Sequence, residues 1–206
     1  MKIDILNISG QKSGKTAELP DAIFAMEPND HAIYLTVKQF MANQRQGTHK
    51  SKEKSEVSGS TRKLMKQKGS GGARKGSIKN PMFRGGGRIF GPKPHLYGFK
   101  LNSKVKELAR KSALTYKAKE NGITVLEDFK LETTKTKEYF NILKNLGVEG
   151  KKTILVLAEN DAAMRTASKN IPNTKILTAA NLNTYEVMNA NQLLFVESSL
   201  KTLSIN

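Results

Sequence analysis

Residues 8–16, ISGQKSGKT, end in Gly14-Lys15-Thr16, residue types that can cradle a phosphate. A phosphate loop needs two glycines with four residues between them, then Lys and Ser/Thr, opening a helix. Here three residues separate Gly10 from Gly14, the required first position falls on Ser9, and Pro20 leaves little room for a helix. A basic hairpin turn is the better reading. GGGRIFG (85–91) places Gly85 and Gly87 as a dinucleotide fingerprint would, but its third glycine comes one residue late and no strand precedes it. His31, His49 and His95 are far apart in sequence, so no metal site is expected, and the chain has no cysteine. Glu159 and Asp161 follow an apolar run, where an α/β enzyme could hold catalytic carboxylates. Capping of the next helix by Asn160 or Asp161 is the simpler role. No nucleophile stands with a base, so neither catalytic residues nor a cofactor are expected.

The chemistry that remains is electrostatic. Of the 206 residues, the 69 from Asn43 to Lys111 carry 19 Lys/Arg and three acids, a net of +16. The other 137 residues carry 16 bases and 15 acids. Within the basic segment, QKGSGGARKGSIKNPMFRGGGRIFGPKP (67–94) contains no acid at all. A charge run is usually a solvated face, and a Gly/Ser-rich one a linker. This one joins no two domains, and it carries Ile78, Met82, Phe83, Ile89, Phe90, Leu96, Tyr97 and Phe99, which a linker does not need.

Each residue type has a use against RNA. Lys63, Lys66, Lys68, Arg74, Lys75, Lys79, Arg84, Arg88 and Lys93, with Gln67, are the expected phosphate and sugar contacts. Phe83, Phe90 and Tyr97 are the expected stacking or wedge residues. Gly69, Gly71, Gly76, Gly85, Gly86 and Gly87 would let the backbone approach RNA without a Cβ in the way. Such a segment buries little apolar surface and is expected to order only on its partner. Three classes stay open on the residues alone: an RNA-binding protein, a nucleotide-using RNA-modifying enzyme with a basic substrate loop, and a protein that coats DNA or a membrane surface.

The elements that must carry this segment are legible around it. KIDILNI (2–8) alternates as a strand, and residues 9–24 read as a loop or small hairpin. Ile33, Val37, Phe40 and Met41 have helical spacing in 30–45, with Asp30 as its cap. From about Gln46 to Lys100 neither period survives, and Gly, Ser, Lys and Arg dominate. Beyond residue 102 helices and strands alternate: helix to Gly122, strand 123–129, helix 135–147, strand 152–158, helix 160–170, strand 174–179, helix 183–190, strand 192–197 and a terminal helix. This pattern predicts a single three-layer α/β domain over residues 1–206, a mostly parallel sheet flanked by helices, with 46–100 as a long basic loop inserted between two helices. KTILVLA (152–158) is apolar throughout, as a strand buried on both faces must be. No run approaches the roughly 18 apolar residues of a membrane span, and MKIDILNISG lacks a signal peptide's core. A soluble cytoplasmic protein without a membrane partner is expected.

The stretch KQKGSGGARKGSIKNPMFRGGGRIFGPKP resembles the signature of the bacterial large-subunit ribosomal protein four family. Gln67, Lys68, Gly69, Gly71, Ala73, Arg74, Gly76, Ser77, Pro81, Gly85 to Gly87, Phe90, Gly91, Pro92 and Pro94 match it, and KLNSKVKELARKSAL (100–114) is also similar. There are departures: Gly72 stands where the family usually has arginine, Ser70 replaces threonine, Met65 lies near a common tryptophan, and His95-Leu96 replaces arginine–aspartate. The resemblance implies a structural constituent of the large ribosomal subunit, acting early in assembly and located in cytoplasmic ribosomes. It implies that the loop threads 23S rRNA, with a tip near Lys63 to Arg74 lining a constriction of the peptide exit tunnel opposite ribosomal protein twenty-two, close to where macrolides bind. Some relatives also repress their own operon. No small-molecule substrate and no homo-oligomer are expected.

Overall fold

A computed structural model describes residues 1–131 and 133–205. The chain divides into two compact units, residues 1–40 with 100–206, and residues 41–99.

The first unit is a three-layer α/β fold. Its strands are β1 (Lys2–Leu6), β2 (Lys12–Glu18), β3 (Ile123–Leu126), β4 (Thr153–Leu157), β5 (Thr174–Thr178) and β6 (Gln192–Val196). They form one sheet in the order β2-β1-β3-β6-β4-β5. All neighbours are parallel except β2, which pairs antiparallel with β1 at the edge. The helices are α1 (Asp21–Phe24), α2 (Asp30–Asn43), α3 (Ser103–Lys119), α4 (Thr136–Asn145), α5 (Ala162–Ser168), α6 (Thr184–Asn189) and α7 (Glu197–Ile205).

The apolar strands build two cores because successive side chains leave a strand on opposite faces. Ile154 and Val156 of β4 point to one face with Val125, Leu193 and Phe195, under Phe24, Ile33, Ala113, Leu114, Val187 and Leu200 from the helices. Leu155 and Leu157 point to the other with Leu126, Leu194 and Val196, under Tyr139 and Leu143 of α4 and Met164 and Ala167 of α5. The small side chains Ala109, Ser112, Ala113 and Thr115 are fully buried and let α3 lie close to its neighbours. Burial of the Tyr139 phenol pushes its pKa far above the ordinary tyrosine value.

Helix ends correct the sequence reading in two places. Asn29, not Asp30, caps α2: its Oδ1 accepts from Ala32 N at 2.9 Å, while the Asp30 carboxylate accepts from the Tyr116 hydroxyl at 2.7 Å. The left-handed residue ending α3 is Asn121 (φ 54), one position before Gly122, because asparagine tolerates that conformation with little strain. Gly147 does end α4 as expected, with φ 65. Val148 N donates to Leu143 O and Gly147 N to Lys144 O, so the last carbonyls are satisfied. Of the two readings of 9–24, the hairpin is the one found: β2 pairs antiparallel with β1, although Ala17 alone among its residues is buried.

Phe195 lies at the centre of the first core, fully buried and edge-on to Phe24 at 6.4 Å. Phe195→Ala is expected to destabilise the protein by about 3–5 kcal/mol. Equilibrium urea unfolding of the full chain checks this through a lowered midpoint at unchanged slope.

Candidate nucleic-acid interface

Residues 41–99 contain no helix beyond the end of α2 and no strand, yet they are ordered by their own backbone. An outgoing lane and a returning lane exchange hydrogen bonds: His95 N donates to Gly47 O, Ser51 N to Pro92 O (3.1 Å), Arg88 N to Lys52 O (2.9 Å) and Leu64 N to Gly76 O (3.1 Å). The returning lane is tightened by turns, with Phe83 N donating to Asn80 O, Gly86 N to Phe83 O and Gly87 N to Lys79 O. The segment thus has a hydrogen-bond framework of its own. Its order comes from main-chain pairing, which leaves no hydrophobic period to read.

The same pairing reassigns some glycines. A Cβ on Gly86 would collide with Asn80 O, and one on Gly87 would stand 2.6 Å from Lys54 Cα. At these two positions the close approach is to the protein's own backbone, not to a ligand. Gly69, Gly71, Gly76 and Gly85 meet nothing within 4 Å and remain free to face one.

Between Asn43 and Lys100 the acids are Glu53 and Glu56 alone, and both are taken up inside the segment. Lys93 Nζ, on the returning lane, lies 2.7 Å from Glu53 Oε1 on the outgoing one. Lys50 pairs with Glu56, whose second oxygen accepts from Glu53 N. These contacts hold the Glu56 carboxyl below its ordinary pKa, chiefly through the Lys50 hydrogen bond, and raise that of Lys93, chiefly through the Glu53 hydrogen bond. Lys93 is therefore a lane-to-lane tie as well as a phosphate candidate. Lys63, Lys66, Lys68, Arg74, Lys75, Arg84 and Arg88 are exposed, and Lys79 is half-buried.

One cleft of about 370 Å³ gathers Lys63, Gln67, Arg74 and Lys75 with Thr61, Gly76 and Ser77. Lys63 Nζ donates to Gln67 Oε1 there. Lys66, Lys68, Lys79, Arg84, Arg88 and Lys93 do not line it.

The aromatic candidates separate by environment. Phe90 is fully exposed and holds φ 53, a conformation that is strained for a bulky side chain. Phe83 is half-buried with Lys75 Nζ 5.7 Å from its ring centre. Tyr97 is occupied from within: the Arg45 guanidinium lies 3.6 Å over its ring, and the His95 ring centre is 4.4 Å away. Tyr97 thus has contacts of its own within the segment. His49 completes that cluster, 5.3 Å from His95. The two histidines, distant in sequence, meet because the lanes run side by side. Among the described residues no group of three or more His, Cys, Asp or Glu could hold a metal.

The phosphate-loop lookalike is absorbed by the fold. Lys12 to Thr16 lie in β2, with no helix at that point; Lys12 is 2.6 Å from Asp4, and Lys15 is 3.3 Å from Glu127. Asp161 caps α5, accepting from Ala163 N (2.8 Å) and Met164 N (3.4 Å).

A family model described as the ribosomal protein L4/L1 family matches residues 17–205. The chain belongs to that family. It is 57% identical over 206 residues to the large ribosomal subunit protein uL4 of Parabacteroides distasonis, covering all of this chain and 99% of the relative. It is 52% identical over 201 residues to the uL4 protein of Christiangramia forsetii, covering 98% and 97% of the two chains. The uL4 protein of Phocaeicola vulgatus is 56% identical over 203 residues, 98% of each chain. The L4-family signature thus coincides with the segment whose lanes pair through their main chains.

Gly87→Ala is expected to force the lanes apart and speed hydrogen exchange at the Arg88 amide, which donates to Lys52 O. Gly72→Ala, with no atom closer than Ser70 O at 4.0 Å, is expected to leave that amide unchanged. Exchange measured by NMR on both variants checks the contrast.

Proposed function

We propose that this chain is a structural protein of the large subunit of the cytoplasmic ribosome, and that residues 46–100 are its main hold on 23S rRNA. The observation that carries the reading is the disposition of charge in the basic segment. Its acids are consumed by Lys93 and Lys50, while seven of the nine nominated cations are exposed on the same segment without an ion-pair partner shown, Lys79 being half-buried. A thin polycationic segment suits crevices of folded RNA, where it can neutralise phosphates of separate helices and fix their spacing. The name shared by the relatives supports this assignment.

Finer parts of the reading follow the family resemblance. We place the Lys63 to Arg74 region, with its cleft, at the constriction of the peptide exit tunnel beside ribosomal protein twenty-two. Gly72 removes one cation from that place. Early action in subunit assembly and binding of the operon's own messenger leader belong to the same proposal. Gly69, Gly71, Gly76 and Gly85 supply backbone approach, and Phe90 supplies the exposed ring. The enzyme alternative is disfavoured because its one nucleotide-loop lookalike is a β-strand whose lysines are paired.

Binding of the full chain to 23S rRNA fragments is expected to weaken with salt, each lost phosphate contact flattening the log–log slope by about 0.7–0.9. Arg74→Gln is expected to flatten it by about one such step, measured by filter binding over a salt series. Removal of residues 46–100 is expected to abolish most of the affinity while the L4-family sheet unit keeps its circular-dichroism spectrum. Full affinity in that deletion would overturn the proposal.

A further inference from the structure

The sheet unit has a crevice of about 860 Å³ at the carboxyl ends of β3, β6 and β4. The strand order reverses here: β4 leads outward to β5, and β6 returns between β3 and β4. Open α/β sheets bind ligands at such a point, commonly seating a phosphate on a helix N-terminus. In this protein the seats are filled from within. Asp161 Oδ1 takes the first free amides of α5, and Asp128 Oδ1 accepts from Ser198 N at the start of α7, 3.1 Å away.

Those carboxylates change what the crevice can hold. With Glu159 they give its rim, among the described residues, three negative charges against one positive, Lys130. Nucleotides and RNA backbone are repelled from it. Beneath the rim the lining is apolar: Leu157, Met164 and Val196 form the floor, and Phe129 and Leu131 stand at the wall. An acidic rim over an apolar floor is the complement of a cationic chain with an apolar anchor, and it lies on a protein of net charge +17.

We infer that this crevice is a docking site for a cationic, apolar-anchored segment of another protein. The apolar anchor enters against Leu157 and Val196, and lysine or arginine groups meet Glu159 and the free oxygens of Asp128 and Asp161. Burial of the anchor supplies the affinity, and the rim selects sign. The site goes beyond the rRNA-binding role and is chemically opposed to it.

The test uses the intact protein and a fluorescent synthetic peptide of leucine, lysine and arginine. Saturable binding is expected. Glu159→Lys is expected to weaken it about fivefold, and Leu131→Asn, which removes the apolar wall without changing the charge, to weaken it too. Glu149→Lys, an exposed acid outside the crevice, is the control and is expected to change nothing. No saturable binding, or an equal loss in the control, overturns the proposal. A photo-crosslinking residue at Lys130 in assembled large subunits provides the second measurement. An adduct mapped to a Lys/Arg-rich protein segment supports the site, and an adduct with RNA overturns it. A labelled chain that never enters subunits would instead count against the ribosomal reading, while the peptide measurement still decides the crevice.

Discussion

Like charges crowded on one thin segment repel, and this protein is organised around containing that repulsion. The basic segment keeps two acids, and it spends both on internal ties. Glu53 bridges to Lys93 across the lanes, and Glu56 pairs with Lys50. Main-chain bonds from Ser51, Leu64, Arg88 and His95 do the rest. Backbone pairing is indifferent to side-chain charge, so it can hold two cationic lanes together where a hydrophobic core has no material to form. Gly87 is needed because the lanes come too near for a Cβ, and Gly86 because the turn through Asn80 and Phe83 closes on it.

The sheet unit solves the opposite problem. It carries a net charge of +5 on 147 residues, against +12 on residues 41–99, and has ample apolar surface, divided between two cores by alternation along β3, β4 and β6. Its helices are ended by local devices: Asn29 on α2, Asp161 on α5, Gly147 behind α4. Each satisfies groups that a buried helix end would otherwise leave bare. The sheet unit thus draws its stability from apolar burial and satisfied helix ends, and the basic segment from main-chain pairing.

How much of this was legible depends on which physical signal each part emits. KTILVLA announces a doubly buried strand because both faces are apolar, and β4 occupies five of its residues. β2 emitted no such signal, being polar and buried at Ala17 alone. The charge of the basic segment was plain from composition. Its internal order was hidden, because main-chain hydrogen bonds between Lys52 and Arg88 or Gly47 and His95 leave no periodic trace. For the same reason Tyr97 read as a free ring; the Arg45 that covers it is 52 positions away in the chain. In the sequence the place of the crevice showed through Glu159 and Asp161, with Asn160 or Asp161 as the cap; the cap is Asp161. Its acidic rim needs Asp128 as well, and only the parallel sheet brings the ends of β3 and β4 to the same side.

β6 lies between β3 and β4 and pairs with both, yet it is residues 192–196 of 206. Until it arrives, the sheet exists as two disconnected pieces, β2-β1-β3 and β4-β5. During synthesis on a ribosome the last strand made is the keystone, and the cationic stretch is finished about 90 residues before that closure, an interval of seconds at ordinary elongation rates. Newborn chains must therefore expose a complete polycation beside an unfinished sheet, a period in which an anionic companion or a chaperone has the most to offer.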